Sequence, residues 1–355
     1  MCTVALVVHS SSLLTSFVVP IANQDSWFAA LMGFVLCLPL MGVYLLLAAR
    51  FPGRNLMQIL SAVYGKVGGY IVGALYLWFF ATLTALNLSD SGAFLRLTIM
   101  VQTPELALML ISMIVSAYAV RNGLRVVVRY SLLFLVVSFG IALTTLVLVA
   151  NQMNFQNFLP MFDQPVSDYV RAVHLVLTIP FGEMVMLLMI GCNVKLGKKK
   201  LARYWLWGFA MGAAGMITVV VRDTAVLGNM LNVFTMPALI TLRLVNITHT
   251  LSRMEILFAV VLITLLYFKV TLFYYITVLS VAQYSGIANY RHIVLAVGAL
   301  ILIYALTLYP SSTAHLISAR GTVPFIWTIF EFLIPAITLL VAWLRRVPAA
   351  REAAS

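Results

Sequence analysis

The chain has 355 residues, of which 63% are hydrophobic and only 9% charged, and its formal net charge is +12. Water-soluble domains carry about 25% charged residues, so these proportions exclude a soluble globular protein and indicate a polytopic membrane protein. Cys2, Cys37 and Cys192 lie too far apart for a disulfide framework or a metal cluster, and the sequence contains no CxxC or HExxH pattern, so neither a metal nor a cofactor is expected.

About 20 apolar residues cross the hydrocarbon core. On that measure ten spans are expected, near 2–22, 27–49, 68–95, 105–120, 130–150, 170–192, 204–221, 254–283, 293–309 and 323–344. The first run has no basic leader or small-residue cleavage site and continues into the second span, so no cleavable signal peptide is expected. It carries His9, Ser10, Ser11, Ser12, Thr15 and Ser16 ahead of Pro20. These hydroxyls suit either an unwound stretch, whose released backbone groups they satisfy, or an intact helix in which they bond back to the preceding turn. In the third span Tyr76, Thr82 and Asn87 occupy neighbouring turns, and Asp90 and Arg96 near its outer end are expected to pair with each other. The connections 151–169 and 222–253 are too polar to cross. The second of these holds Pro237 ahead of interleaved apolar and polar residues, which predicts a short interfacial helix over the outer mouth.

The sixth span contains the main anomaly, LTIPFGEMVMLLM at 177–189. Pro180 removes a backbone donor and crowds the preceding turn, Gly182 loosens the backbone, and Glu183 places a carboxylate at membrane depth. A discontinuous helix is expected here, with Pro180, Phe181 and Gly182 at the break. The second half-helix would begin near Glu183 with its amides free to hold a ligand carboxylate. Glu183 itself either satisfies those amides, pairs with a cation, or attracts the ammonium of a zwitterion or a proton. Lys269 is the one basic residue left inside a span, the eighth, where Thr271 and Tyr275 lie four apart on one helical face. Glu331 in the tenth span is a second intramembrane carboxylate, suited to a subunit contact or to helix packing.

Basic residues alternate between loops. One set of connections holds Arg50, Arg54, Lys66, Arg121, Arg125, Arg129, Lys195, Lys198, Lys199, Lys200, Arg203, Arg291, Arg345, Arg346 and Arg351, and the other only Arg96, Arg171, Arg222, Arg243, Arg253 and Arg320. The richer side is cytoplasmic by the positive-inside rule, which puts both termini and the tail 347–355 inside. Membrane topology thus accounts for the positive charge, and nucleic acid is not an expected partner. Ten spans with a broken sixth suggest a 5+5 inverted repeat in one membrane domain, with repeats at about 1–150 and 170–346.

Several segments carry a resemblance: QDSW at 24–27, RFPGRNLMQIL at 50–60 with YGK at 64–66, AYAVRNGL at 117–124, PFGE at 180–183, LSRMEILF at 251–258, FKVTLFYY at 268–275 and YR at 290–291. In this order the chain resembles the B subunit of bacterial spore germinant receptors, the endospore germination permeases of the amino acid/polyamine/organocation transporter superfamily. The resemblance implies an all-α membrane protein of ten transmembrane helices with a LeuT-like 5+5 inverted repeat and broken helices 1 and 6. It also implies location in the inner spore membrane, surrounded by lipid, and an A-type membrane subunit and a C-type lipoprotein as partners. A small nutrient, often an amino acid, is the implied ligand. Such a fold places the eighth helix beside the first, where sodium-coupled relatives hold a sodium ion. Lys269 is then either a built-in cation in that place or a packing partner of Glu183.

The ligand-binding residues expected are Ser11, Ser12, Thr15, Thr82, Pro180, Phe181, Gly182, Glu183, Thr271 and Tyr275, with Lys269 as the cation. The leading expectation is a nutrient-sensing receptor subunit. A proton-coupled amino acid transporter is the alternative, and no constellation of nucleophile and base supports an enzyme.

Overall fold

The computed structural model describes residues 1–10, 15–98, 100–194, 197–234, 236–243 and 255–346. Every regular element among them is helical, as lipid requires of a chain whose backbone groups must be satisfied within each segment. In order they are α1 (Cys2–His9), α2 (Thr15–Ala22), α3 (Ser26–Arg50), α4 (Leu56–Thr98), α5 (Glu105–Asn122), α6 (Leu124–Arg129), α7 (Ser131–Val149) and α8 (Val166–Val176). After an irregular segment come α9 (Leu187–Ile190), α10 (Lys198–Leu227), α11 (Pro237–Arg243), α12 (Glu255–Tyr284), α13 (Val294–Thr307), α14 (Ser312–Arg320), α15 (Thr322–Thr328) and α16 (Ile334–Leu344).

Among the described residues, 8 helical stretches are long and apolar enough to cross a membrane. They correspond to the expected spans other than the first and the ninth. The ninth is the shorter α13, and the first is present as α1 and α2, two helices of 8 residues each. Length and apolarity therefore do not by themselves reach the expected ten. Whether the chain unwinds between α1 and α2 depends on Ser11 and Ser12, which lie outside the described residues.

α4 bends at Gly65, whose φ of 80° and ψ of −176° leave the helical region and which a side chain would strain. Small residues set the closest helix contacts. Gly208, Gly212 and Gly215 of α10 lie under α1, where an added Cβ would meet Val4, Val8 and His9. In the membrane such close approach substitutes for the missing hydrophobic drive between helices. α12 packs mainly on α4 and also on α5 and α7. Hydroxyls tie these layers together, Thr84 to Thr277 at 2.9 Å and Thr271 to Ser116 at 3.0 Å.

The connection from α7 to α8 folds back over the start of α3. The buried Asp25 accepts from the Phe162 amide at 2.8 Å and from the Tyr169 hydroxyl at 2.6 Å, which accounts for the acidic residue in QDSW. At the opposite end Arg50 donates to the Ala342 carbonyl near the end of α16, and Arg345 to the Val63 carbonyl beside the Gly65 bend of α4, each at 2.9 Å, giving donors to carbonyls at a helix end and at a bend.

Two expectations are corrected. The interfacial helix exists as α11 and begins at Pro237, but Pro237, Ala238, Leu239, Thr241 and Leu242 are buried against α10 and α12 and do not lie free on the surface. Residues 244–254 are outside the described ones. Asp90 and Arg96 do not pair: Asp90 meets His315 at 3.4 Å and Arg96 meets Glu105 at 3.7 Å. Six positions along a helix place two side chains about 9 Å apart in height and on different faces.

Candidate functional site

The sixth span changes helix type four times without unwinding. After α8 the chain runs as a π turn over Leu177–Phe181, a 3₁₀ stretch over Gly182–Met186, α9, and a second 3₁₀ turn over Gly191–Asn193. Pro180 has no N–H and its ring needs room against the preceding turn. Widening the ladder to a π turn supplies that room. The Thr178 hydroxyl donates to the His174 and Leu175 carbonyls at 3.0 and 3.1 Å, and the Tyr44 hydroxyl lies 3.3 Å from the Gly182 carbonyl.

This corrects the expected half-helix. The Gly182 amide donates to the Thr178 carbonyl, and φ/ψ stay helical at Phe181, Gly182 and Leu187. Glu183 therefore does not head a fresh helix with open amides. The irregularity at PFGE is present, but it is a change in winding.

Glu183 is 2% exposed and forms an ion pair with Lys269 of α12, 4% exposed, with Nζ 2.7 Å from Oε2. Of the alternatives for the two residues, the structure places them together. A lysine and a glutamate at membrane depth are tolerable because each neutralises the other. A third group joins them. Glu331 is fully buried on a second π turn, Ile329–Leu333, and its carboxyl lies against Gly182 where any Cβ would collide with it. Tyr44 donates to the Glu331 main-chain oxygen and Tyr76 to that of Phe330, each at 2.7 Å. Two tyrosines thus serve main-chain oxygens of the tenth-span π turn, which packs against the 3₁₀ stretch Gly182–Met186, and π turns recur at functional sites.

Cavities approach this layer from both ends. Asp90, which acts electrostatically on Glu183 and Lys269, lines one of about 470 Å³ together with Arg96, Glu105 and His315. Leu187, one turn beyond Glu183, lines two others of about 330 and 460 Å³ beside Gly191 and Val194.

The remaining expected ligand residues are drawn into helix contacts. Thr82 bonds to the Trp78 carbonyl at 2.8 Å and to Tyr304 of α13 at 3.0 Å. Thr271 donates to Ser116, while the Tyr275 ring packs edge-on to Tyr290 at 5.7 Å. Both residues are buried on α12, which packs against α4, α5 and α7. Phe181 is fully buried between Phe34 and Phe209. Ser11 and Ser12 lie outside the described residues, as does the side chain of Thr15, which opens α2.

Sequence reasoning placed Arg222 and Asp223 in an outer connection. The structure buries them inside α10 at 2% and 0% exposure. Arg222 donates to Asp223 Oδ1 from Nε at 2.9 Å and from Nη2 at 2.7 Å, and to Thr145 of α7 from Nη1 at 3.0 Å. The signal was present: adjacent opposite charges between Val219–Val221 and Ala225–Leu227, an apolar run that continues the helix on both sides.

Comparison with known proteins agrees with this architecture. The chain superposes on Mhp1, a nucleobase-cation-symport-1 family transporter in a closed conformation with bromovinylhydantoin bound, with a TM-score of 0.66 at 14% identity over 98% of this chain and 91% of that one. At that identity the likeness shows the fold, and it is the LeuT-like fold expected from the sequence. Spore germination protein KB of Bacillus subtilis (strain 168) is 26% identical over 331 residues, 90% of this chain and 87% of that protein. YfkT of the same organism is 21% identical over 322 residues, with the same coverage. The spore germination protein family matches residues 2–313. An integral membrane protein whose buried Glu183–Lys269 pair sits where the irregular sixth span meets the tenth, the chain belongs to the spore germination protein family.

Proposed function

We propose that the chain is the nutrient-sensing subunit of a spore germinant receptor, seated in the inner spore membrane with both termini in the cytoplasm and working with an A-type membrane subunit and a C-type lipoprotein. The observation that carries this reading is the buried Glu183–Lys269 pair, 2.7 Å long, at the point where the sixth span changes winding. A zwitterion fits such a pair without adding net charge. Its ammonium takes Glu183, its carboxylate takes Lys269, and one ion pair becomes two. Entry of the ligand separates α12 from the sixth span, and the π and 3₁₀ turns on either side of Gly182 absorb the shift. That movement is the signal passed to the partner subunits. The chain binds its nutrient and performs no chemistry on it.

A screen of amino acids, sugars and nucleosides for thermal stabilisation of the purified chain tests the proposal. An amino acid at 100 times its Kd stabilises the fold by about 2.7 kcal/mol, and the same compound lacking its amino or carboxyl group does not. The Glu183→Gln/Lys269→Met double variant shows no such gain. Stabilisation by sugars or nucleosides alone defeats the zwitterion reading.

Proton-coupled amino acid transport is the second reading, favoured by the likeness to Mhp1, a transporter. One fold serves both roles, so concentrative uptake of a labelled amino acid by the chain alone in liposomes would establish transport.

A further inference from the structure

The layer around Gly182 encloses two carboxyl groups and one lysine. Glu183 and Lys269 form one pair at 2.7 Å, and the fully buried Glu331 lies beside them. Neither carboxyl oxygen of Glu331 meets a hydrogen-bond partner among the described residues.

The titratable groups that face Glu331 are Cys37 and Tyr44 of α3, Tyr76 of α4, Glu183 of the sixth span and Lys269 of α12. Tyr44 and Tyr76 direct their hydroxyls to main-chain oxygens, of Glu331 and Phe330. Lys269 is already in contact with Glu183. Asp90, the other carboxyl acting on this layer, is paired with His315 at 3.4 Å. An ionised Glu331 would therefore add a second buried negative charge with no donor to solvate it, a costly arrangement in a low-dielectric interior.

We propose that Glu331 is a proton-binding site of the membrane core, held as the carboxylic acid while Glu183 is closed on Lys269. The proton supplies the second positive charge that two buried carboxyl groups require. Its release turns Glu331 into a competitor for Lys269, which is then shared between the sixth and tenth spans. Tyr44, which reaches the main-chain oxygens of both Gly182 and Glu331, ties the start of the sixth-span 3₁₀ stretch to the tenth-span π turn, so a shift at one is carried to the other. A zwitterion entering the Glu183–Lys269 pair leaves the net charge unchanged, so this site stands or falls independently of the nutrient.

Infrared spectroscopy of the full chain in lipid nanodiscs at neutral pH tests the proposal. The wild type is expected to show the carbonyl stretch of a protonated carboxylic acid, shifted on deuterium exchange. Glu331→Gln loses that band, and Lys269→Met gains a second one, because Glu183 without its cation takes up a proton. Where Glu331→Gln does not fold, Glu331→Asp moves the band in frequency and Glu183→Asp leaves it in place. A wild type with no such band, a band that survives Glu331→Gln, or a band that moves only with Glu183→Asp overturns the assignment.

Discussion

Replacing Lys269 by Met is expected to destabilise the folded chain by about 3–5 kcal/mol, the range for breaking a buried ion pair by removing one partner. The cause is the Glu183 side chain left behind, which must take up a proton to stay buried without its partner. Glu183 is 2% exposed, beside the equally buried Glu331, and loses the cation 2.7 Å away that makes its charge tolerable. The loss is therefore not a property of the lysine, and the double variant demonstrates this. With Glu183→Gln added, both charges are gone, the side-chain volumes are nearly kept, and most of the stability returns. Denaturant or thermal unfolding of the four proteins of this cycle in nanodiscs measures the coupling. If the double variant is as unstable as the sum of the singles, the two residues do not act as a pair.

Arg222→Met is expected to cost a similar amount, about 3–5 kcal/mol, for the same reason in another place. Asp223 is fully buried and accepts two hydrogen bonds from Arg222, which also reaches Thr145 on α7. The guanidinium thus satisfies an acid on its own helix and fastens α10 to α7. Met preserves much of the aliphatic stem but none of the donors. Asp223→Asn in the same chain relieves most of the penalty, since an amide needs no counter-charge. If the two polar centres act independently, the Arg222→Met and Lys269→Met losses add within about 0.5 kcal/mol. Unfolding midpoints of the combined variant check this, and strong non-additivity would mean that the two polar centres are mechanically linked.

The contrast between these pairs shows what the sequence makes legible. Glu183 and Lys269 stand out because each is a lone charge in a long apolar run, and a charge at membrane depth needs a partner wherever it lies. Their pairing is one of the alternatives that the sequence leaves open. Arg222 and Asp223 neutralise each other within one dipeptide, which made that stretch read as polar loop when it was helix. PFGE identified where the sixth span departs from regularity. Proline and glycine residues do not, however, encode whether the backbone opens or merely widens, because that depends on the room left by Glu331 and on the Tyr44 hydroxyl. Thr82, Thr271 and Tyr275 lie on the expected helices, but the contacts they make there were not legible. Their hydroxyls and rings go to Tyr304, Ser116 and Tyr290, contacts set by helix packing that periodicity does not reveal. The juxtaposition of Gly182 with Glu331 is of the same kind, since nothing local to either segment announces it.

The central claim is that the Glu183–Lys269 pair is the element that answers the nutrient, and it is tested most directly in spores. The Glu183→Gln/Lys269→Met variant keeps the packing and removes the charges. Spores carrying it in place of the wild-type chain, at equal protein level in the membrane, are expected to show no nutrient-triggered fall in optical density while still germinating through stimuli that bypass the receptor. A normal nutrient response at that protein level would contradict the account.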